Sequence, residues 1–191
     1  ARGVRALRSE YDDDGRLVRT TDALGNDVTL THDIEGRREV IVDRVGGERV
    51  LEFDARGNVV RETDQVGAVT TRTFDERGNR LSETDPTGRT RHWTYDLFDN
   101  VLTETDPADA TTTNTYGSFS RLLTTTNPLG HTWTNVYDAQ GNLERQVGPL
   151  PGQVTELGYD ARGNLTGRRD ATGALTTYEY DGAGNLVREV D

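Results

Sequence analysis

A chain of 191 residues can hold one or two domains, but only 32% of this one is hydrophobic, too little to fill the core of a two-layer sandwich. Its 33 acidic and 22 basic residues leave a net charge of −11, spread along the chain, which excludes nucleic acid as a partner on charge grounds. No cysteine is present and no apolar run nears the roughly 18 residues of a transmembrane helix, so disulfides, thiolate metal sites and membrane insertion drop out.

Ala1 to Glu10 form a lead-in, and from residue 11 to residue 191 one phrase recurs nine times. An aromatic residue followed by Asp and then a Gly-Asn-Leu-like step begins at Tyr11, His32, Phe53, Phe74, Tyr95, Tyr116, Tyr137, Tyr159 and Tyr180. The interval is 21 residues throughout, apart from one of 22 between Tyr137 and Tyr159. A period near twenty predicts stacked copies of one supersecondary unit. The last copy stops at Asp191 halfway through its unit and the chain contains no Met, so the sequence is expected to be a segment of a longer protein, with any export signal outside it.

Within each copy two turn clusters stand about ten residues apart. The first follows the aromatic, as in Asp75-Glu76-Arg77-Gly78-Asn79, and supplies the Gly and Asn that accept positive φ in a tight hairpin. Asp99 and Ser120 stand where the other copies have Gly. The second is Asp85-Pro86-Thr87-Gly88 and its relatives, where Asp bonds backbone amides, Pro fixes φ and Gly takes the left-handed position. The 22-residue interval falls at Gly148-Pro149-Leu150-Pro151-Gly152, so the insertion sits at a loop tip. Between the clusters, alternation such as Trp93/Tyr95, Leu51/Phe53, Leu157/Tyr159 and Tyr178/Tyr180 predicts short strands. The expected fold is all-β: tandem β-hairpin repeats of about 21 residues, about 17 strands in all, forming a single curved antiparallel sheet with the aromatics on its concave face.

Two aspartate columns invite a functional reading. Asp12, Asp33, Asp54, Asp75, Asp96, Asp138, Asp160 and Asp181 form one; Asp22, Asp43, Asp64, Asp85, Asp106 and Asp170 form the other. Stacked carboxylates could hold Ca²⁺ or act as an acid–base pair, yet a catalytic dyad has no reason to recur in every copy, whereas a turn has. His32, His92 and His131 occupy different repeat positions or lack ligand spacing, and no phosphate loop or nucleophile elbow occurs. No catalytic residue, metal site or cofactor is therefore assigned. The aromatic column reads as the packing interface between neighbouring copies, with Tyr95 and Tyr159 as the alternative contacts for a glycan.

The run Tyr159-Asp160-Ala161-Arg162-Gly163-Asn164-Leu165, matched at Tyr137 to Leu143 and Tyr180 to Leu186, resembles the signature of YD repeats, also called RHS repeats. The structural signature residues are thus Tyr11, Phe53, Phe74, Tyr95, Tyr116, Tyr137, Tyr159 and Tyr180, with Asp160, Gly163, Asn164 and Leu165. His32 replaces the aromatic in one copy and Tyr116-Gly117 loses the Asp in another. The resemblance implies a β-hairpin spiral forming an open segment of a hollow shell, in a secreted or surface protein of the bacterial polymorphic-toxin or toxin-complex kind, or an adhesion ectodomain like that of teneurins. It implies a non-catalytic role, with the rest of the parent shell and an enclosed C-terminal cargo domain as partners. Arginine without lysine agrees with a bacterial source. Open edge strands add the expectation of self-association. The alternative function is an adhesion module that binds carbohydrate or a cell surface.

Overall fold

The computed structural model describes residues 8–191. Residues 1–7 of the lead-in lie outside the described residues, while Arg8, Ser9 and Glu10 already belong to the first strand. The chain divides into two compact units, Ala1–Trp93 and Thr94–Asp191.

Strands β1 (Arg8–Tyr11), β2 (Leu17–Thr21), β3 (Asp27–Asp33) and β4 (Arg38–Val42) open the first unit. They are followed by β5 (Glu48–Phe53), β6 (Val59–Thr63), β7 (Val69–Phe74), β8 (Arg80–Thr84) and β9 (Thr90–Tyr95), whose last two residues fall in the second unit. Each pairs antiparallel with the next, a plain meander. The second unit repeats the scheme with β10 (Val101–Thr105), β11 (Thr111–Tyr116), β12 (Leu122–Thr126), β13 (Thr132–Tyr137) and β14 (Leu143–Val147). It ends with β15 (Val154–Tyr159), β16 (Leu165–Arg169), β17 (Leu175–Tyr180) and β18 (Leu186–Val190). Again sequence neighbours pair antiparallel. The fold is all-β with eighteen strands among the described residues, one more than sequence counting gives, because the lead-in contributes to β1. Between β11 and β12, Ser118–Ser120 form a tight turn in which Phe119 and Ser120 take positive φ.

Alternation alone does not reveal the irregularity before the aromatic. In β15 and β16, Leu157 faces Arg168 and Gly158 faces Gly167, but Tyr159 faces Leu165, so one residue is skipped just ahead of the ring. The same shift precedes Tyr11, Phe53, Phe74, Tyr116, Tyr137 and Tyr180. It is absent where His32 takes the aromatic place, with His32 opposite Glu39. A bulge re-aims the side chain that follows it and sharpens the local twist. The slip sets Tyr159 opposite Leu165, as it sets Tyr137 opposite Leu143 and Phe74 opposite Arg80.

The sheet has no thick interior. Among the described residues only Trp93 is buried as a hydrophobic side chain, at 9% exposure. Most strand positions are half-buried, and both faces carry polar partners. A composition this poor in apolar residues suits a layer wetted on each side.

Candidate functional site

The repeat signature is built from the turn upward. At Asp160 the carboxylate Oδ1 accepts from the backbone N–H groups of Arg162 (2.9 Å) and Asn164 (2.9 Å), while Oδ2 accepts from the Asn164 side-chain amide (2.9 Å). The backbone closes the same turn, with Asp160 N–H donating to the Asn164 carbonyl and Gly163 N–H to the Asp160 carbonyl, both at 3.0 Å. Gly163 takes φ +84°, a conformation that glycine reaches at no steric cost. The same grip recurs at Asp54 with Asn58, Asp75 with Asn79, Asp96 with Asn100 and Asp181 with Asn185. Arg16 stands in for asparagine at Asp12, donating through Nε at 2.8 Å.

The second column works alike on the opposite rim. Asp43 accepts from Val45 and Gly47 N–H at 2.9 and 2.8 Å, and Asp85 from Thr87 N–H at 2.8 Å and the Thr87 hydroxyl at 2.6 Å. These bonds favour the anion. The Asn164 amide holds Asp160 below the usual carboxylate range, and the Thr87 hydroxyl does so for Asp85. The carboxylates thus serve as turn acceptors. Among the described residues no group of three or more His, Asp and Glu is placed to hold a metal ion.

The aromatic column couples one copy to the previous one. The Tyr116 hydroxyl donates to the Val101 carbonyl and that of Tyr137 to the Leu122 carbonyl, each at 3.0 Å. The side-chain amides of Asn114 and Asn135, two residues earlier on the same face, donate to those same carbonyls at 3.0 Å. Each carbonyl thereby uses both lone pairs across the repeat boundary. His32 repeats the arrangement with Nε2 at 2.8 Å from the Leu17 carbonyl oxygen, and its Nδ1 lies 2.9 Å from Glu39. The asparagine partnership escapes sequence reading because the same position holds Leu51, Arg72, Trp93, Leu157 or Tyr178 elsewhere. Tyr137→Phe is expected to cost about 1 kcal/mol, the net value of one hydrogen bond, because the Asn135 amide still satisfies the Leu122 carbonyl. Urea titrations of Tyr137→Phe, Asn135→Val and the double variant measure this, and the double loss should exceed the sum of the single ones.

In the first unit that face carries charges instead. Arg49 pairs with Glu62 (2.7 Å), Glu62 with Arg72 (3.2 Å) and Arg72 with Glu83 (2.8 Å). Arg80 also reaches Glu83 (2.6 Å) and lies over the Trp93 ring at 4.2 Å. The opposite face carries hydroxyl pairs, Thr73 with Ser82 in the first unit and Thr115 with Thr124 in the second, both at 2.6 Å. The rims are stapled by arginine, with Arg162 Nη1 donating to the Gly182 carbonyl at 2.9 Å.

The two tyrosines singled out as glycan contacts are both half-buried. Tyr159 lines a shallow depression of about 520 Å³ with Asp138, Gln140, Asn142 and Arg162. Burial, then the Asp138 charge, pushes its phenol up. Tyr95 belongs to the coupling column and is not brought near Tyr159 by the hairpin order. No described helix is long and apolar enough to cross a membrane.

The sequence profile described as RHS Repeat matches residues 11–48, 53–90, 74–111, 137–175 and 159–191. No curated protein matches the sequence. Among solved structures, the chain is similar to the crystal structure of TcdB2-TccC3-TEV, with TM-score 0.77 and 19% identity over 96% of this chain and 11% of that one. It is similar to TcdB2-TccC3-Cdc42, with TM-score 0.62 and 17% identity over 96% of this chain and 14% of that one. The Photorhabdus luminescens Tc holotoxin pore gives TM-score 0.60 and 17% identity over 96% and 14%. At such identities the likeness is one of fold, and the chain spans a small fraction of the length of each.

Proposed function

The chain belongs to the RHS repeat family, and from that premise we propose that it is a non-catalytic wall segment of a larger secreted bacterial shell that encloses a C-terminal cargo domain. The observation that carries the reading is the saturation of the repeat's polar groups by the repeat itself. The signature aspartates and asparagines spend their hydrogen bonds on turns, and the Tyr116 and Tyr137 hydroxyls spend theirs on neighbouring copies, the work of a scaffold. The shell likeness to toxin complexes containing TcdB2 and TccC3 supports the setting. In this reading the remainder of the parent shell pairs with the end strands, and a toxic domain is kept from contact with protease and host.

The test is the intact mass and protease sensitivity of the native protein recovered from its source. A chain hundreds of residues longer, with a C-terminal domain that resists trypsin until the shell is opened, is the expected result. A native species near 21.2 kDa would leave no cargo to enclose and would overturn the proposal.

A second reading, saccharide contact, draws on the depression at Tyr159 with its amide and carboxylate lining. Saturable binding to a glycan array, lost in Tyr159→Ala and kept in Tyr95→Ala, is its expected signature. Absence of any saturable signal rejects it.

A further inference from the structure

In seven of the nine copies the first turn carries Gly at its fourth position after the aromatic, and in the two neighbouring copies starting at Tyr95 and Tyr116 it does not. Asp99 there takes φ +65°, and Phe119 and Ser120 take +61° and +56°. These are three of the five non-glycine residues at positive φ among those described. Such backbone is held against a steric penalty, and a departure of this kind points to a use for the side chains it presents.

The two turns that hold this backbone display apolar side chains. Leu97 is 87% exposed, Phe98 79% and Phe119 88%. Phe98 and Phe119 are half of the chain's four phenylalanines, and both stand at the third position after the aromatic, where other copies place charged residues, glutamine or alanine. The turns follow β9 and β11, which run in the same direction and project from one end of the sheet two strand spacings, about 10 Å, apart. Arg121 closes the inner side, with its guanidinium 5.4 Å from the Phe119 ring and 5.7 Å from the Tyr137 ring. Arg121 is released for this because Gly117 supplies no carboxylate to the turn, whereas Arg16 in the equivalent position is held by Asp12. The loss of Asp, the loss of Gly and the gain of two phenylalanines thus form one coordinated change.

The electrostatic setting selects the partner. In the three successive turns of this rim, residues 96–100, 117–121 and 138–142, three acidic residues, Asp96, Asp99 and Asp138, stand against one basic residue, Arg121. We propose that the Leu97–Phe98–Phe119 rim docks a basic protein segment that carries aliphatic side chains. The rings and Leu97 take the apolar anchors, and the aspartates of the same rim attract the cations around them. This proposal does not depend on enclosure of a cargo, since it concerns an exposed rim of the second unit alone.

The experiment uses the 191-residue chain and two labelled amphipathic peptides of one pattern, Leu/Lys and Leu/Glu, read by fluorescence anisotropy at two salt concentrations. The expected result is saturable binding of the Leu/Lys peptide, weakened about 30-fold by Phe98→Ser with Phe119→Ser. Leu129→Ser, at an exposed tip of the opposite rim, should leave it unchanged. No saturable binding, equal binding of the Leu/Glu peptide, or equal weakening by Leu129→Ser would overturn the proposal. So would sedimentation showing that the unmodified chain self-associates while the double phenylalanine variant does not, because the occupant would then be a second copy.

Discussion

Lowering the pH from 7 to 2 should destabilise this chain through its turns. Ten aspartates, Asp12, Asp22, Asp43, Asp54, Asp75, Asp85, Asp138, Asp160, Asp170 and Asp181, sit below the usual carboxylate range. For most of them the leading cause is a hydrogen bond donated by a neighbour in the same turn, such as the side chain of Asn26 to Asp22 or of Asn58 to Asp54. In the unfolded chain these groups titrate near about 3.9. A carboxyl with a depressed folded value stabilises the fold fully above the unfolded value, and the contribution disappears as pH falls through the folded value. The loss therefore begins near pH 4 and deepens toward pH 2. Because the device is copied along the chain, many small losses occur over one narrow range.

Urea midpoints at pH 7, 4, 3 and 2, with carboxyl ¹³C shifts to locate each titration, measure the effect. The Asn127 turn is an internal comparison: its amide oxygen accepts from Leu129 and His131 N–H at 3.0 and 2.9 Å and has no proton to gain in this range. Between pH 4 and 2 the Leu129 amide should hold its shift while those after the aspartates move. A midpoint that stays flat to pH 3 would contradict the account.

Replacing Trp93 by alanine should remove about 3 kcal/mol of stability. Trp93 is the buried hydrophobic side chain of the described structure, and the Arg80 guanidinium 4.2 Å from its ring adds a partner that alanine cannot keep. Trp133 provides the contrast. It lies four residues before its tyrosine rather than two and is 37% exposed, so Trp133→Ala should cost under about 1 kcal/mol. Urea unfolding followed by far-ultraviolet circular dichroism separates the two. Equal losses would mean that coupling between copies, not local burial, sets the response. A repeat array can lose cooperativity when one interface weakens, so a broadened transition for Trp93→Ala is part of the expectation.

The hairpins and their rims were legible because the signals are local. Gly163 and Asn164 mark a left-handed turn, Asp160 marks its acceptor, and Trp93 with Tyr95 marks a strand face, all within a few residues. The bulge before seven of the rings was not legible, since it is a fact about two strands at once: Tyr159 meets Leu165 only after the register slips by one. The double use of the Leu122 carbonyl by Tyr137 and Asn135 is hidden for the same reason, as it spans 15 residues. The polar face was obscured by its variety, with an ionic chain through Glu62 and Arg72 in the first unit and amides in the second. Family membership was readable from the signature run, whereas the Phe98 and Phe119 tips look from sequence like simple decay of a motif.

A layer with water against both faces also has an unusual thermal character. Folding leaves much hydrocarbon partly wet here, since most apolar strand side chains are half-buried and only Trp93 among the described residues is buried. The heat-capacity increment of unfolding comes mainly from newly hydrated apolar surface and is opposed by newly hydrated polar surface. This chain should therefore fall well below the usual increment of about 12–15 cal/mol/K per residue, a quantity that scanning calorimetry across a pH series reads directly. A small increment flattens the dependence of stability on temperature, so the fold should weaken little on cooling. Such a sheet should lose little of its stability in the cold.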